Sequence, residues 1–110
     1  MFVYIARHAW AGHYGDAGGD DSLRELTPEG AQRYMEVVQA LADRQFCPSR
    51  IATSPYARCL QTAEIISRYV PGEPELEVLS ALAPGSNLGT LLQWTNGQGG
   101  NDVCWCGHNP

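Results

Sequence analysis

Lysine is absent from the 110 residues, and the seven basic side chains are all arginine: Arg7, Arg24, Arg33, Arg44, Arg50, Arg58 and Arg68. That excludes a P-loop lysine and a Schiff-base lysine, and with them the phosphate-loop nucleotidases and the pyridoxal enzymes. Positive charge is scarce as well, since 12 acidic residues leave a formal charge of −5 and a pI of about 5.0. General affinity for nucleic acid or for an anionic membrane is therefore not expected. No apolar run approaches the roughly 18 residues of a membrane span. Phe2-Val3-Tyr4-Ile5-Ala6 is too short for a signal peptide and lacks a basic leader. A cytoplasmic address follows as the expectation, with Cys47, Cys59, Cys104 and Cys106 read as reduced thiols.

What is present is the composition of one folded domain over residues 1–110, with 44% hydrophobic and 17% charged side chains. Phe2 to Ala6 reads as a buried first strand. The Gly- and Asp-rich stretch from Ala9 to Glu25 reads as a long polar loop, a length that in compact domains is usually functional or mobile. Thr27-Pro28 supplies an N-cap and a first-turn proline for a helix over about 28–44, with Ala31, Tyr34/Met35, Val38 and Leu41/Ala42 at helical spacing. Further strands are predicted at 50–53, 76–79 and 102–106, and further helices at about 56–69 and 88–94. This β-α alternation predicts an α/β sandwich of three layers around a mostly parallel central sheet.

Three polar motifs fall where strands end: Arg7-His8, Ser54-Pro55-Tyr56-Ala57-Arg58 and Gly107-His108. Ligands of open parallel sheets bind beyond the carboxyl ends of the strands, so the three converge on one place. Neighbouring strand residues point to opposite faces, so Arg7 and His8 share a pocket only if the chain leaves the pleat there. Two imidazoles and two guanidinium groups make an anion site. A neutral imidazole can attack a phosphoryl group there, while a protonated one hydrogen-bonds the oxygens as charge accumulates.

These residues, with Arg24-Glu25-Leu26-Thr27-Pro28-Glu29-Gly30, the run from Ser54 to Ala63 and Gly107-His108-Asn109-Pro110, resemble the histidine phosphatase superfamily. They are similar in particular to its small SixA-like phosphohistidine phosphatase branch. The resemblance spans the whole chain and implies a phosphoglycerate mutase-like fold and a metal-independent phosphatase without a cofactor. His8 is implied as the nucleophile, Arg7 and Arg58 as phosphoryl-binding residues, and His108 as the group completing the pocket. The implied substrate is a phosphohistidine-bearing protein of signalling or phosphotransfer. Two alternatives stand beside it: a phosphoesterase or mutase acting on a small phosphorylated metabolite, and a module that binds a phosphoprotein without turnover.

Two departures from the family pattern carry expectations. Ala9 stands where the family usually has glycine, a one-methyl change expected to be tolerated. Family members continue past Gly-His-Asn-Pro, so C-terminal elements are expected to be missing here, leaving an uncovered surface that invites self-association. No carboxylic acid occurs from Ser80 to Ser86 to protonate a leaving group. That favours a phosphoramidate, whose departing imidazole readily carries its own proton. Asp16, Asp20, Asp21 and Glu77 are candidate acids only if their loops fold inward, and solvated surface is the expectation for each. His13 is expected to be exposed. Cys104, Cys106 and His108 share one face of a strand, which suits buried filler better than a tetrahedral metal site.

Overall fold

Each strand in this sequence is separated from the next by a helical segment, a spacing that permits parallel pairing and forbids tight hairpins. The computed structural model, which describes residues 2–13 and 18–108, has that arrangement. Strands β1 (Val3–Arg7), β2 (Arg50–Thr53), β3 (Glu75–Val78) and β4 (Val103–Gly107) alternate with helices α1 (Pro28–Asp43), α2 (Ala57–Tyr69) and α3 (Leu88–Asn96). The four strands form one sheet in the order β1-β4-β2-β3, every pair parallel. Register places Arg7 beside Gly107 and Thr53 beside Cys106. The ends of β1, β2 and β4 therefore lie side by side.

The middle strands are covered on both faces. Ile51, Cys104 and Cys106 pack with Val38 of α1 and Cys59, Ala63 and Ile66 of α2. Ala52 and Trp105, on the opposite face, pack with Ala81, Leu82 and Leu91. The result is a three-layer α/β sandwich, as the alternation of strands and helices predicts. β1 departs from the expectation of a buried strand. It is an edge strand in which Tyr4 and Ala6 pack inward while Ile5, on the other face, is 75% exposed, as is 65% of Phe2 just before it. Pleating explains the alternation: α1 covers one face of this strand, and no described layer covers the other.

The described parts of the stretch from Ala9 to Glu25, residues 9–13 and 18–25, are also more structured than a polar loop. Ala9 and Ala11 are buried, Ala11 bridges Leu26, and Asp21–Leu23 forms a 3-10 turn capped by the Asp20 side chain. The loop is drawn in because α1 begins directly against it. Thr27 caps the helix by accepting from the Gly30 amide, and its own amide donates to the Trp10 carbonyl. At Gly30 a Cβ would lie 2.3 Å from that same carbonyl oxygen, so the close approach of helix and loop requires glycine.

Gly30→Ala is expected to lower stability by about 1–3 kcal/mol, because the obstructing atom is backbone and must shift. Gly89→Ala, where an added Cβ meets only the Asn87 side chain at 3.4 Å, is the control and is expected to be neutral or stabilising through helix propensity. Thermal unfolding of the two variants checks this, and equal melting temperatures would refute the tight contact.

Candidate functional site

His8 is the first residue past β1. Its amide continues the ladder to the Gly107 carbonyl at 3.1 Å, and its ring then turns back so that Nδ1 lies 2.7 Å from the Ala9 carbonyl. A carbonyl oxygen can only accept, so Nδ1 carries the proton and Nε2 keeps its lone pair. Ala9 is held in turn. Its amide donates to Thr62 Oγ1 at 2.9 Å, and that buried hydroxyl donates to the Arg58 carbonyl at 2.7 Å. The chain thus leaves the pleat at the step the sequence required, tethered to α2, and the added methyl of Ala9 is buried within this tether.

His108 is the first residue past β4. Its Nε2 lies 3.0 Å from Ser54 Oγ, and its ring meets those of Tyr56 and His8 edge-on, with centroids 5.0 and 5.6 Å away. Arg58, in the first turn of α2, is only 5% exposed. Its guanidinium lies 5.0 Å from the centre of the Tyr56 ring, and its two terminal nitrogens donate to Asp21, one to the carbonyl at 2.8 Å and one to Oδ2 at 2.9 Å. Arg24 Nε donates to the other oxygen, Oδ1, at 3.0 Å, and its Nη1 donates to the Gly12 carbonyl. Arg7 is exposed. With His8, Trp10, His13 and Arg24 it borders an open cleft of about 510 Å³.

The charges act on the imidazoles in one direction. Burial, followed by Arg58, Arg7 and Arg24, holds His8 below the ordinary histidine value against the contrary pull of the Ala9 carbonyl. Burial, Arg58 and His8 bring His108 down to about 4, with Asp21 opposing. Both rings are therefore neutral at pH 7. The protonated second histidine expected once charge develops is not the resting state, because burial and the neighbouring Arg58 outweigh the opposing pull of Asp21.

The structure brings His8, Arg58 and His108 together and sets Arg7 at the rim. Arg24, Ser54 and Tyr56 also belong to the site, though the sequence presented them only as parts of motifs. Of the candidate acids, Asp21 folds inward. Asp20 caps the 3-10 turn, Glu77 pairs with Arg50 at 3.0 Å, and Asp16 lies outside the described residues. His13 is exposed but borders the cleft. Cys104 and Cys106 are fully buried thiols; burial pushes Cys104 up to about 12 and Cys106 well above its ordinary value. The described residues hold no group of three or more metal-ligating side chains, and no helix among them is long and apolar enough to cross a membrane.

Residues 3–83 match the family model of the histidine phosphatase superfamily (branch 1). A solved protein histidine phosphatase SixA complexed with tungstate is 30% identical. It superposes with a TM-score of 0.86 over 100% of this chain and 70% of its own. A candidate phosphohistidine phosphatase SixA from Agrobacterium tumefaciens is 29% identical, with a TM-score of 0.82 over 98% of this chain and 69% of its own. An uncharacterized protein of Picosynechococcus sp. is 37% identical over 94 residues. That alignment takes in 86% of this chain, which spans only 56% of the length of that curated relative.

Proton NMR titration of the ligand-free protein is expected to show His8 turning over below pH 6.5 and His108 near pH 4. Arg58→Gln is expected to raise both midpoints, since it removes a cation that disfavours both imidazolium forms. Midpoints unmoved by that substitution would contradict the arrangement.

Proposed function

The chain belongs to the histidine phosphatase superfamily, and on that premise we propose that it hydrolyses a phosphoryl group through a phosphohistidine formed on Nε2 of His8. The observation that carries this reading is the His8 ring itself, with Nδ1 pinned by a backbone carbonyl and Nε2 left unprotonated in a pocket of arginines. The lone pair of Nε2 attacks phosphorus as the bond to the leaving group breaks. Water then attacks the phosphoenzyme, the N–P bond breaks, and phosphate leaves with His8 neutral again. Arg7 and Arg58 neutralise the phosphoryl oxygens, with His108 as a further donor once the anion has raised its proton affinity. None of these steps calls for a metal or a cofactor. The tungstate held by the SixA relative, an oxyanion like phosphate, supports this use of the pocket.

Phosphohistidine in a protein is the substrate class we favour. Asp21, the carboxylate at the site, is engaged by two arginines. Although desolvation alone would raise it, hydrogen bonds from Arg58 and Arg24 hold it below the ordinary carboxylate value. It is therefore ionised at neutral pH and poorly placed to protonate an alkoxide, whereas a departing imidazole brings its own proton. A single domain over residues 1–110, working in the cytoplasm, completes the proposal. The free edge of β1, with Val3 and Ile5 exposed, is where a second copy would pair strand to strand. Sedimentation is expected to show association that Ile5→Lys weakens, and a clean monomer at all concentrations would dismiss it.

Acid-labile phosphate is expected on His8 when the protein is quenched during turnover of a phosphoramidate, and His8→Ala is expected to lose activity by orders of magnitude. Undiminished hydrolysis by His8→Ala would sink the mechanism. kcat/KM is expected to hold as pH falls to about 6.5 and to decline only below that, because protonation removes the attacking lone pair and the His8 pKa is depressed. Arg58→Lys is expected to weaken vanadate binding about tenfold despite its conserved charge, since an ammonium cannot reproduce the guanidinium fork.

A further inference from the structure

Arg58 is a buried cation whose pairing is asymmetric. A guanidinium has five N–H donors. Asp21 takes one from each terminal nitrogen, through its carbonyl and through Oδ2, gripping the far end of the group. The Nε of Arg58 is buried and has no hydrogen-bond partner. The other carboxylate oxygen of Asp21 holds Arg24 Nε at 3.0 Å, and Arg24 borders the cleft beside His8. One carboxylate thus sets the positions of two guanidinium groups and supplies the counter-charge that a cation only 5% exposed needs.

We infer that Asp21 is a positioning residue for phosphoryl transfer: it fixes the guanidinium of Arg58 by the terminal nitrogens beside the ring of Tyr56, and it brings Arg24 to the cleft as a further oxyanion-binding cation. Asp21 acts through these two arginines and moves no proton. The short 3-10 turn from Asp21 to Leu23 thereby becomes part of the site. It gives the otherwise irregular segment before α1 a reason to fold against α2 instead of projecting into solvent. The inference rests on the reading of the pocket as a phosphoryl-transfer site.

Asp21→Ala and Asp21→Asn test it, with inorganic vanadate as the binding probe and aryl phosphates of graded leaving-group basicity as substrates. Asp21→Ala is expected to weaken vanadate binding and to lower kcat/KM by between about tenfold and a hundredfold. The loss is expected to be the same for good and poor leaving groups. Asp21→Asn keeps one oxygen that can accept from Arg58 and loses the acceptor for Arg24, so its loss is expected to be smaller. Thermal unfolding of both variants shows whether they are folded, and the asparagine variant, nearly isosteric, carries the test if the alanine variant is not. Vanadate bound as tightly as by the parent, or more tightly, would overturn the inference. So would a rate loss that grows with leaving-group basicity while vanadate binding is unchanged, which is the behaviour of a proton donor. A parent protein that fails to bind vanadate, or a His8→Ala variant that stays active, would instead remove the phosphoryl-transfer reading beneath it.

Discussion

The hydrogen bond from the His8 amide to the Gly107 carbonyl, one step beyond the last strand pair, is the contact on which the rest of the site depends. It makes the ends of β1 and β4 neighbours, so His8 and His108, a hundred residues apart in sequence, meet with ring centroids 5.6 Å apart. Parallel pairing gives this result and antiparallel pairing would not, since only parallel strands present all their carboxyl ends on one side of the sheet. β2, on the other side of β4, delivers Ser54 and the start of α2 to the same rim, and Arg58 follows within one helical turn. Three separate stretches of sequence become one pocket through backbone pairing before any side chain interacts.

Much of this was legible from residue type and spacing. The order of strands and helices follows from hydrophobic period and from caps such as Thr27-Pro28, and the four parallel strands follow from the length of the connections. The bounds differ slightly. β1 runs one residue later than its apolar run because Arg7 still pairs with Gly107, and α3 continues to Asn96, two residues past the predicted end. The exposure of β1 was not legible. Phe2-Val3-Tyr4-Ile5-Ala6 is apolar at every position, and a continuous apolar run does not reveal whether one of its faces is left without a layer.

Within the site, His8, Arg7, Arg58 and His108 were legible because each sits in a short motif at a strand end. Asp21 and Arg24 were not. They lie in a Gly- and Asp-rich stretch where composition alone favours solvent, and the inward fold of that stretch depends on tertiary contacts. One is the Trp10 carbonyl against Gly30, and another is Gln61 of α2 accepting from the Leu26 amide at 2.8 Å. The absence of lysine carries more meaning in this setting. Arg58 binds Asp21 with one part of its guanidinium and keeps other donors for a ligand. An ammonium group, a point charge on a flexible stem, has no such division of faces.

The same geometry fixes how protons follow the anion. Burial and the surrounding cations keep both imidazoles neutral, with the Ala9 carbonyl opposing at His8 and Asp21 opposing at His108, which lies near 4. A phosphoryl oxyanion bound in the pocket would oppose the pull of Arg58 and favour the protonated form of His108. His8 feels the same field, but its Nδ1 proton is already committed to the Ala9 carbonyl, and attack on phosphorus uses the lone pair that a second proton would occupy. Under the proposed mechanism the two histidines would therefore respond differently to one ligand: His8 would spend its free nitrogen on phosphorus, and His108 would be left to take up the proton. Under that mechanism two imidazoles of like chemistry would take the separate roles of nucleophile and hydrogen-bond donor, divided by the backbone carbonyl that holds the Nδ1 of His8.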